Sequence, residues 1–232
     1  MARPLIGITS EMAAAGWGNR VRETVVLPAR YARVLERVGC APVLLPPAAH
    51  GRHGLAARLD AVVFSDGGDI DARRCGAAEA GLAPDPDLAR DASEFALMRE
   101  AIAAGLPLLA AGRGMRVLDV AQGGSVAERP GGPWEGHEVR VSPGSRLGRI
   151  LGPVVTLPGR RPAGEQTAAR HQALDRLGTG LAAVAWADGQ TVLAIELAGH
   201  PFAIGVQWHP EDSEDLRIFT EFATAARTRA AA

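Results

Sequence analysis

The stretch that decides the fold is residues 106–115, with the sequence LPLLAAGRGM. Its apolar first half predicts a strand covered on both faces, and apolar residues then recur at helical spacing through residues 113–121. A sharp strand-to-helix turn of this kind lifts one residue out of the sheet onto the positive end of a helix, the geometry of a nucleophile elbow. In this chain the lifted residue is Gly112, which has no side chain.

Strands and helices alternate before this stretch. Residues 4–9, 42–46 and 61–64 are short apolar runs that predict strands, whereas residues 24–38 and 87–104 carry apolar side chains at helical spacing. This alternation favours an α/β fold in which a mostly parallel sheet has helices on both faces. The loops that leave the carboxyl ends of such strands build the functional site.

After residue 123 the pattern becomes mainly β. Short runs predict further strands, and residues 212–227 predict a closing helix; the predicted strands are residues 137–141, 150–157, 181–186, 192–197 and 202–206. The Pro- and Gly-rich residues 129–136 and 158–165 predict loops. A length of 232 residues fits one large domain, so we expect a single domain over residues 1–232.

Charge and composition restrict the partners. The 25 basic and 26 acidic residues leave a net charge of −1, which gives no electrostatic footprint for nucleic acid or an anionic membrane. No apolar run could span a bilayer and no signal sequence is evident, so we expect a cytoplasmic protein. Cys40 and Cys75 are too few for a disulfide framework or a cysteine-based zinc site, and no metal or cofactor is expected. The oligomeric state stays open, with a homodimer as one expectation.

Four further motifs accompany the elbow in a fixed order. They are residues 65–71 (SDGGDID), Arg90-Asp91 with Glu94, His171-Gln172, and residues 205–211 (GVQWHPE). Together with the elbow they resemble the class I glutamine amidotransferase superfamily, and within it the γ-glutamyl-γ-aminobutyrate hydrolase-like, or peptidase C26-like, branch. The resemblance covers most of the chain. It implies a flavodoxin-like three-layer fold with a mostly parallel central sheet and a small antiparallel β extension.

The resemblance also implies roles for individual residues. The elbow of that branch reads Leu-Gly-Ile-Cys-Arg-Gly-Met-Gln, so the nucleophilic Cys falls on Gly112. His209 corresponds to the base that takes the proton of the thiol, and Glu211 to the carboxylate that orients the imidazole. The remaining candidates are oxyanion or substrate-binding residues: Gly67, Gly68, Arg113, His137, Arg170, His171 and Gln172.

Two departures from the family pattern separate three hypotheses. Gly112 cannot form a γ-glutamyl thioester, and Asp66 stands where the family has a small residue, so its carboxylate would repel a developing oxyanion. The first hypothesis is an enzyme that uses His209 and Glu211 for acid–base chemistry on a small molecule with an amide or γ-glutamyl group. The second is a catalytically silent homologue that binds a ligand or a partner protein. The third is an engineered replacement of Cys by Gly.

Overall fold

The computed structural model describes residues 3–48, 54–75, 86–129, 137–157, 171–187 and 190–231. Within these ranges the helices are α1 (Ala29–Arg37), α2 (Leu88–Ala103), α3 (Arg113–Ala121), α4 (Arg146–Leu151) and α5 (Arg217–Ala230). The strands are β1 (Leu5–Thr9), β2 (Glu11–Trp17), β3 (Arg20–Val26), β4 (Ala41–Leu45), β5 (Ala61–Phe64), β6 (Leu108–Ala111), β7 (Ser125–Arg129), β8 (Glu138–Val141), β9 (Val154–Thr156), β10 (His171–Arg176), β11 (Leu181–Ala187), β12 (Thr191–Leu197) and β13 (Ala203–Val206).

A nine-stranded mixed sheet forms the centre of the fold, in the order β4-β1-β5-β6-β13-β12-β11-β8-β9. The strands from β4 to β13 are parallel to their neighbours, and those from β12 to β9 extend the sheet in antiparallel fashion. The predicted α/β fold, with a parallel core and an antiparallel extension, is confirmed. Because β6 and β13 are adjacent and parallel, the residues that follow them meet at one edge of the sheet.

Apolar side chains cover both faces of this sheet. One core cluster joins α1, α4 and α5 to one face, with Leu35, Phe219 and Phe222 fully buried. The other joins α2 and α3 to the opposite face, with Met98 and Met115 fully buried. The central strands are buried on both sides, which explains their continuous apolar sequences.

The first half of the chain contains a hairpin that the periodicity did not indicate. Residues 24–38 were expected to form one helix, but residues 20–26 belong to β3, which pairs with β2 in a separate two-stranded sheet. A two-residue turn joins these strands, and Gly18 supplies its positive φ of 61°. Pro28 occupies the N-cap position of α1 with non-helical ψ of 121°, so the helix begins only at Ala29.

The second half also differs from the prediction in two places. Residues 150–151 end helix α4, which the hydroxyl of Ser145 caps by accepting from the Gly148 amide, so the expected strand over 150–157 shrinks to β9. The closing helix begins at Arg217 and not at Asp212. The predicted loops over residues 129–136 and 158–165 lie outside the described residues, except for residue 129, which ends β7. No helix in the described part of the chain is long and apolar enough to cross a membrane.

Candidate active site

The turn between β6 and α3 has elbow geometry. Gly112 has φ 49° and ψ −108°, a region that side-chain-bearing residues enter only with strain. Its amide donates to the carbonyl of Val206 on β13, which fixes the turn against the neighbouring strand. Two residues on, a Cβ at Gly114 would lie 2.7 Å from the Cβ of Phe64, so glycine is needed there for α3 to pack on β5. Gly112 therefore lies at the tight turn between β6 and α3.

The carboxylate of Asp66 occupies the space beside the bare α-carbon of Gly112. A Cβ on residue 112 would lie 2.5 Å from Asp66 Cγ and closer still to Oδ1. The same Oδ1 accepts a hydrogen bond of 2.8 Å from the Arg113 amide at the N-terminus of α3. A helix N-terminus favours a negative charge, so the carboxylate is held by the same field that would stabilise an elbow thiolate.

His209 and Glu211 follow β13 at the same edge of the sheet. The imidazole Nδ1 lies 3.0 Å from Glu211 Oε1, and Nε2 lies 3.6 Å from Asp66 Oδ2. The side chain of Glu211 is 3% exposed, whereas those of His209 and Asp66 are 41% and 33% exposed. The three side chains thus form a row in which a buried carboxylate orients an imidazole that faces a second, accessible carboxylate.

This row raises the pKa of His209 to about 9. The main cause is the hydrogen bond to Glu211, opposed by burial and reinforced by the charges of Glu211, Asp66 and Asp212. The imidazole is therefore a cation at neutral pH. In the free protein it is prepared to give a proton rather than to take one.

Tyr31 on α1 contacts the row of Asp66, His209 and Glu211 through the Asp66 backbone. Its place on an apolar helix face did not reveal this role. Its hydroxyl accepts a hydrogen bond of 3.2 Å from the Asp66 amide. Burial raises the pKa of Tyr31 well above its ordinary value, and the charges of Glu211 and Asp66 raise it further. A neutral phenol thus lies within electrostatic reach of both carboxylates. Tyr31 is the chain's single tyrosine, and that count was the available signal.

A cavity of about 220 Å³ opens beside the row. Its lining includes charged groups from four parts of the chain. They are Glu11 at the base of the β2–β3 hairpin, Asp66 after β5, Arg90 on α2, and His209 with Glu211 after β13. The Arg90 guanidinium is engaged already, since it donates to Glu94, Glu11 and the Asp66 carbonyl. The cavity is adjacent to the elbow, and its lining combines apolar side chains with a few charged groups, as small-molecule sites do.

The side chain of Arg113 binds the loop that follows β5, which contains Gly67 and Gly68, and it does not line the cavity. It is 1% exposed, pairs with Asp91 and Glu94, and donates to the carbonyls of Gly68 and Asp69 at 2.8 and 3.1 Å. A substrate contact by this side chain, which the resemblance implied, has no geometric support. Only the backbone amide of Arg113 reaches the elbow, and it donates its hydrogen bond to Asp66.

The two loop glycines and Gln172 have distinct surroundings. Gly67 lines the cavity, and a Cβ there would overlap the Arg90 guanidinium, which explains the glycine. Gly68 contributes the carbonyl that Arg113 binds. Gln172 is buried, and its amide group both donates to and accepts from the backbone of Ile70 at 2.7 and 2.9 Å. Its predicted substrate contact is replaced by a structural one, because both ends of the amide are used.

The other predicted binding residues lie less centrally or cannot be placed. His137 is exposed just before β8, at the same edge of the sheet as His209 but three strands away from β13. His171 starts β10, and its side chain lies outside what the structure describes. Arg170 lies outside the described residues.

Neither Ser65 nor Cys40 offers an accessible nucleophile. Ser65 is 1% exposed, and its hydroxyl donates to the Thr9 carbonyl at 2.7 Å. Cys40 is fully buried between α1 and β4. The side chain of Cys75 lies outside the described part. Among the described residues, no group of three or more His, Cys, Asp or Glu side chains could hold a metal ion.

Comparisons with known proteins find relatives that match most of the chain. The family model Peptidase C26 matches residues 4–211. A protein of Mycobacterium tuberculosis named "Putative glutamine amidotransferase" is 33% identical over 97% of this chain and 75% of its own length. A "Gamma-glutamyl-gamma-aminobutyrate hydrolase" of Escherichia coli is 28% identical over 91% of this chain and 87% of its own length. The crystal structure of a putative GMP synthase protein from Thermoplasma acidophilum superposes with a TM-score of 0.68 at 16% identity, covering 100% of this chain and 98% of the other.

The fold and the elbow with its His-Glu pair define a protein of the class I glutamine amidotransferase-like group. Within that group, the chain belongs to the Peptidase C26 family.

The raised pKa of His209 predicts a pH-dependent stability. The folded-state value of about 9 exceeds the ordinary 6.5, so the stabilisation is complete below pH 6.5 and is lost as the pH rises through 9. Because the imidazole is partly exposed, solvent screening reduces the effect to on the order of 1 kcal/mol. Urea unfolding at pH 6, 7.5 and 9.5 should show this loss in the wild type and not in His209→Gln. Parallel pH curves for the two proteins would refute the ion-paired imidazole.

Proposed function

We propose that this protein acts on a small molecule with an amide or γ-glutamyl-like acyl group, through acid–base chemistry of His209 and without a thioester intermediate. The single observation that carries the proposal is the His209 imidazole, which is held by Glu211 and belongs to the lining of the cavity. The substrate class is supported by the Escherichia coli relative, whose name assigns it hydrolysis of γ-glutamyl-γ-aminobutyrate.

The thiol route of such enzymes has no basis in this chain. Gly112 carries no side chain, and the Arg113 amide, a donor well placed for a tetrahedral oxyanion, is hydrogen-bonded to Asp66. Loss of the nucleophile alone leaves about 10³–10⁴-fold catalysis over water in a serine hydrolase, from binding and oxyanion donors. A chemistry that needs no covalent intermediate is therefore the one that the remaining groups can support.

His209 enters this chemistry as a proton donor. Its cationic Nε2–H can protonate the leaving nitrogen of an amide when the carbon–nitrogen bond breaks, a step that general acid catalysis accelerates about 10²–10⁴-fold. Because its pKa is about 9, the acid form dominates at neutral pH. Activity should therefore persist up to pH 9 and decline above it.

The test compares wild type with His209→Gln on two probes, γ-glutamyl-p-nitroanilide and γ-glutamyl-γ-aminobutyrate. We expect wild-type turnover without an acyl-enzyme mass, and a loss of at least about 100-fold in kcat for the variant. His200→Gln is the matched control, since His200 lies in the turn before β13 at the opposite edge of the sheet. Equal activity of wild type and His209→Gln would contradict the proposal.

A silent binding protein is the second candidate, and one observation favours it. Asp66 accepts a hydrogen bond from the Arg113 amide and lies 3.6 Å from the His209 imidazole, so both of these groups have a partner without any ligand. Absence of turnover on both probes, together with calorimetric binding of glutamate that survives His209→Gln, would select this candidate.

The fit of Asp66 to Gly112 argues against a single engineered replacement at position 112. A side chain there would overlap the carboxylate, so the two residues form a matched pair. A change at one position alone would not supply its partner.

A further inference from the structure

We propose that Asp66 takes over the position of the missing elbow side chain and serves there as the general base that activates water. The inference deepens the proposed function and rests on it, because it names the second catalytic residue of the same site. Asp66, which stands where the family has a small residue, is then a group on which the chemistry depends.

The first support is placement. The Asp66 carboxylate fills the volume that a Cβ on Gly112 would enter, so it stands where an elbow side chain would begin. It is fixed there by the Arg113 amide at 2.8 Å through Oδ1, while its backbone amide is fixed by the Tyr31 hydroxyl at 3.2 Å. Because both its backbone and one carboxylate oxygen are hydrogen-bonded, Asp66 has little freedom to leave the elbow, as a preorganised catalytic group requires.

The second support is access. The Asp66 side chain is 33% exposed and lines the cavity, so water and a bound acyl group can reach it. Since Oδ1 is engaged with Arg113, Oδ2 is the oxygen that faces both the cavity and His209. Glu211, by contrast, is 3% exposed and holds the far side of the imidazole, which suits an orienting role.

The third support is the positive charge of the His209 imidazole, which lies next to Asp66. Asp66 Oδ2 lies 3.6 Å from His209 Nε2, and the imidazole is cationic at neutral pH. At neutral pH the site therefore holds an imidazolium next to the cavity-lining side chain of Asp66. Groups near the imidazole are Glu211 and Asp212 from its own segment, Asp66 from the loop after β5, Tyr31 from α1, and Glu11 and Arg90 across the cavity.

These groups allow a balanced hydrolysis. Asp66 takes a proton from water as the water oxygen bonds to the acyl carbon, which gives a tetrahedral oxyanion. As the oxyanion collapses, the carbon–nitrogen bond breaks and His209 gives its proton to the leaving nitrogen. The proton on Asp66 then passes to the neutral His209 across their 3.6 Å separation, which restores the starting site. The net change is amide plus water to acid plus amine.

The experiment compares Asp66→Asn, Asp66→Gly and Asp69→Asn with wild type on γ-glutamyl-p-nitroanilide. Asparagine keeps an oxygen for the Arg113 amide but cannot accept the proton. Asp69→Asn is the matched control in the same loop, since that carboxylate pairs with Arg116 at 3.6 Å. We expect both Asp66 variants to lose at least about 100-fold in kcat, and Asp69→Asn to stay within about threefold of wild type.

A second readout separates a base from a nucleophile. In a single turnover in H₂¹⁸O the label should enter the product acid, and the peptide that contains Asp66 should remain unlabelled. Label in Asp66 would show a covalent aspartyl intermediate and overturn the general-base role. Full activity of Asp66→Asn with an active wild type would overturn the inference alone. An inactive wild type on both probes would overturn the proposed function and the inference with it.

Discussion

Replacing Gly112 with Cys should destabilise the protein by about 2–5 kcal/mol and give no thiol-dependent hydrolysis. The cost has two parts, because φ of 49° strains a residue with a side chain and the new Cβ overlaps the Asp66 carboxylate. The double variant Asp66→Gly/Gly112→Cys removes the overlap, so only the strain of about 1–3 kcal/mol should remain. In that variant the thiol stands at the N-terminus of α3, where a thiolate is stabilised.

Urea unfolding, alkylation by iodoacetamide and turnover of γ-glutamyl-p-nitroanilide measure these effects. We expect fast alkylation and an acyl-enzyme mass only in the double variant. Gly112→Ala, alone and with Asp66→Gly, is the matched control, since it adds the Cβ without the sulfur. A Gly112→Cys protein as stable as wild type would show that Asp66 does not fill the elbow.

Replacing Arg113 with Met should cost about 3–5 kcal/mol of unfolding free energy, because two buried carboxylates lose their cation. The guanidinium is 1% exposed, pairs with Asp91 and Glu94, and binds the carbonyls of Gly68 and Asp69. The loop that carries Asp66 would lose this support, so the site should loosen together with the fold.

The matched control is Arg37→Met, which breaks an exposed pair with Glu214 at 3.5 Å and should cost less than about 1 kcal/mol. Adding Asp91→Asn and Glu94→Gln to Arg113→Met should recover part of the loss, because the uncompensated charges are then removed. Chemical denaturation measures each value. Equal costs for Arg113→Met and Arg37→Met would show that the network is not buried as described.

The parts of the fold with regular periodicity could be predicted from the sequence. Residues 61–64 and the elbow were assigned correctly because strands covered on both faces are continuously apolar. Helix α2 was assigned to within a residue, because Asp87 caps it and its apolar spacing is regular.

Tertiary context decided the elements that were missed. The β2–β3 hairpin is little buried, so its polar and apolar residues do not alternate in a pattern that predicts strands. Gly18-Asn19 was the one available turn signal. Helix α4 is only six residues long and depends on the caps supplied by Ser145 and by Glu196, which accepts from the Leu147 amide.

The sequence predicted which residues belong to the candidate site better than it predicted the contacts between them. The spacing of His209 and Glu211 indicated a pair, and 3.0 Å separates them. Asp66 was predicted only to repel an oxyanion, because a sequence cannot show that a residue 46 positions before Gly112 fills the space left by the missing side chain. Gln172 and Arg113 were expected to touch substrate, whereas buried backbone carbonyls and amides took up their hydrogen-bonding groups.

A crystal structure of the wild-type protein at neutral pH tests the central claim most directly. We predict the Asp66 carboxylate against the Gly112 α-carbon, with Oδ1 about 2.8 Å from the Arg113 amide and Oδ2 facing the His209 imidazole. An Asp66 side chain turned out to solvent, with the elbow left open beside Gly112, would contradict this claim.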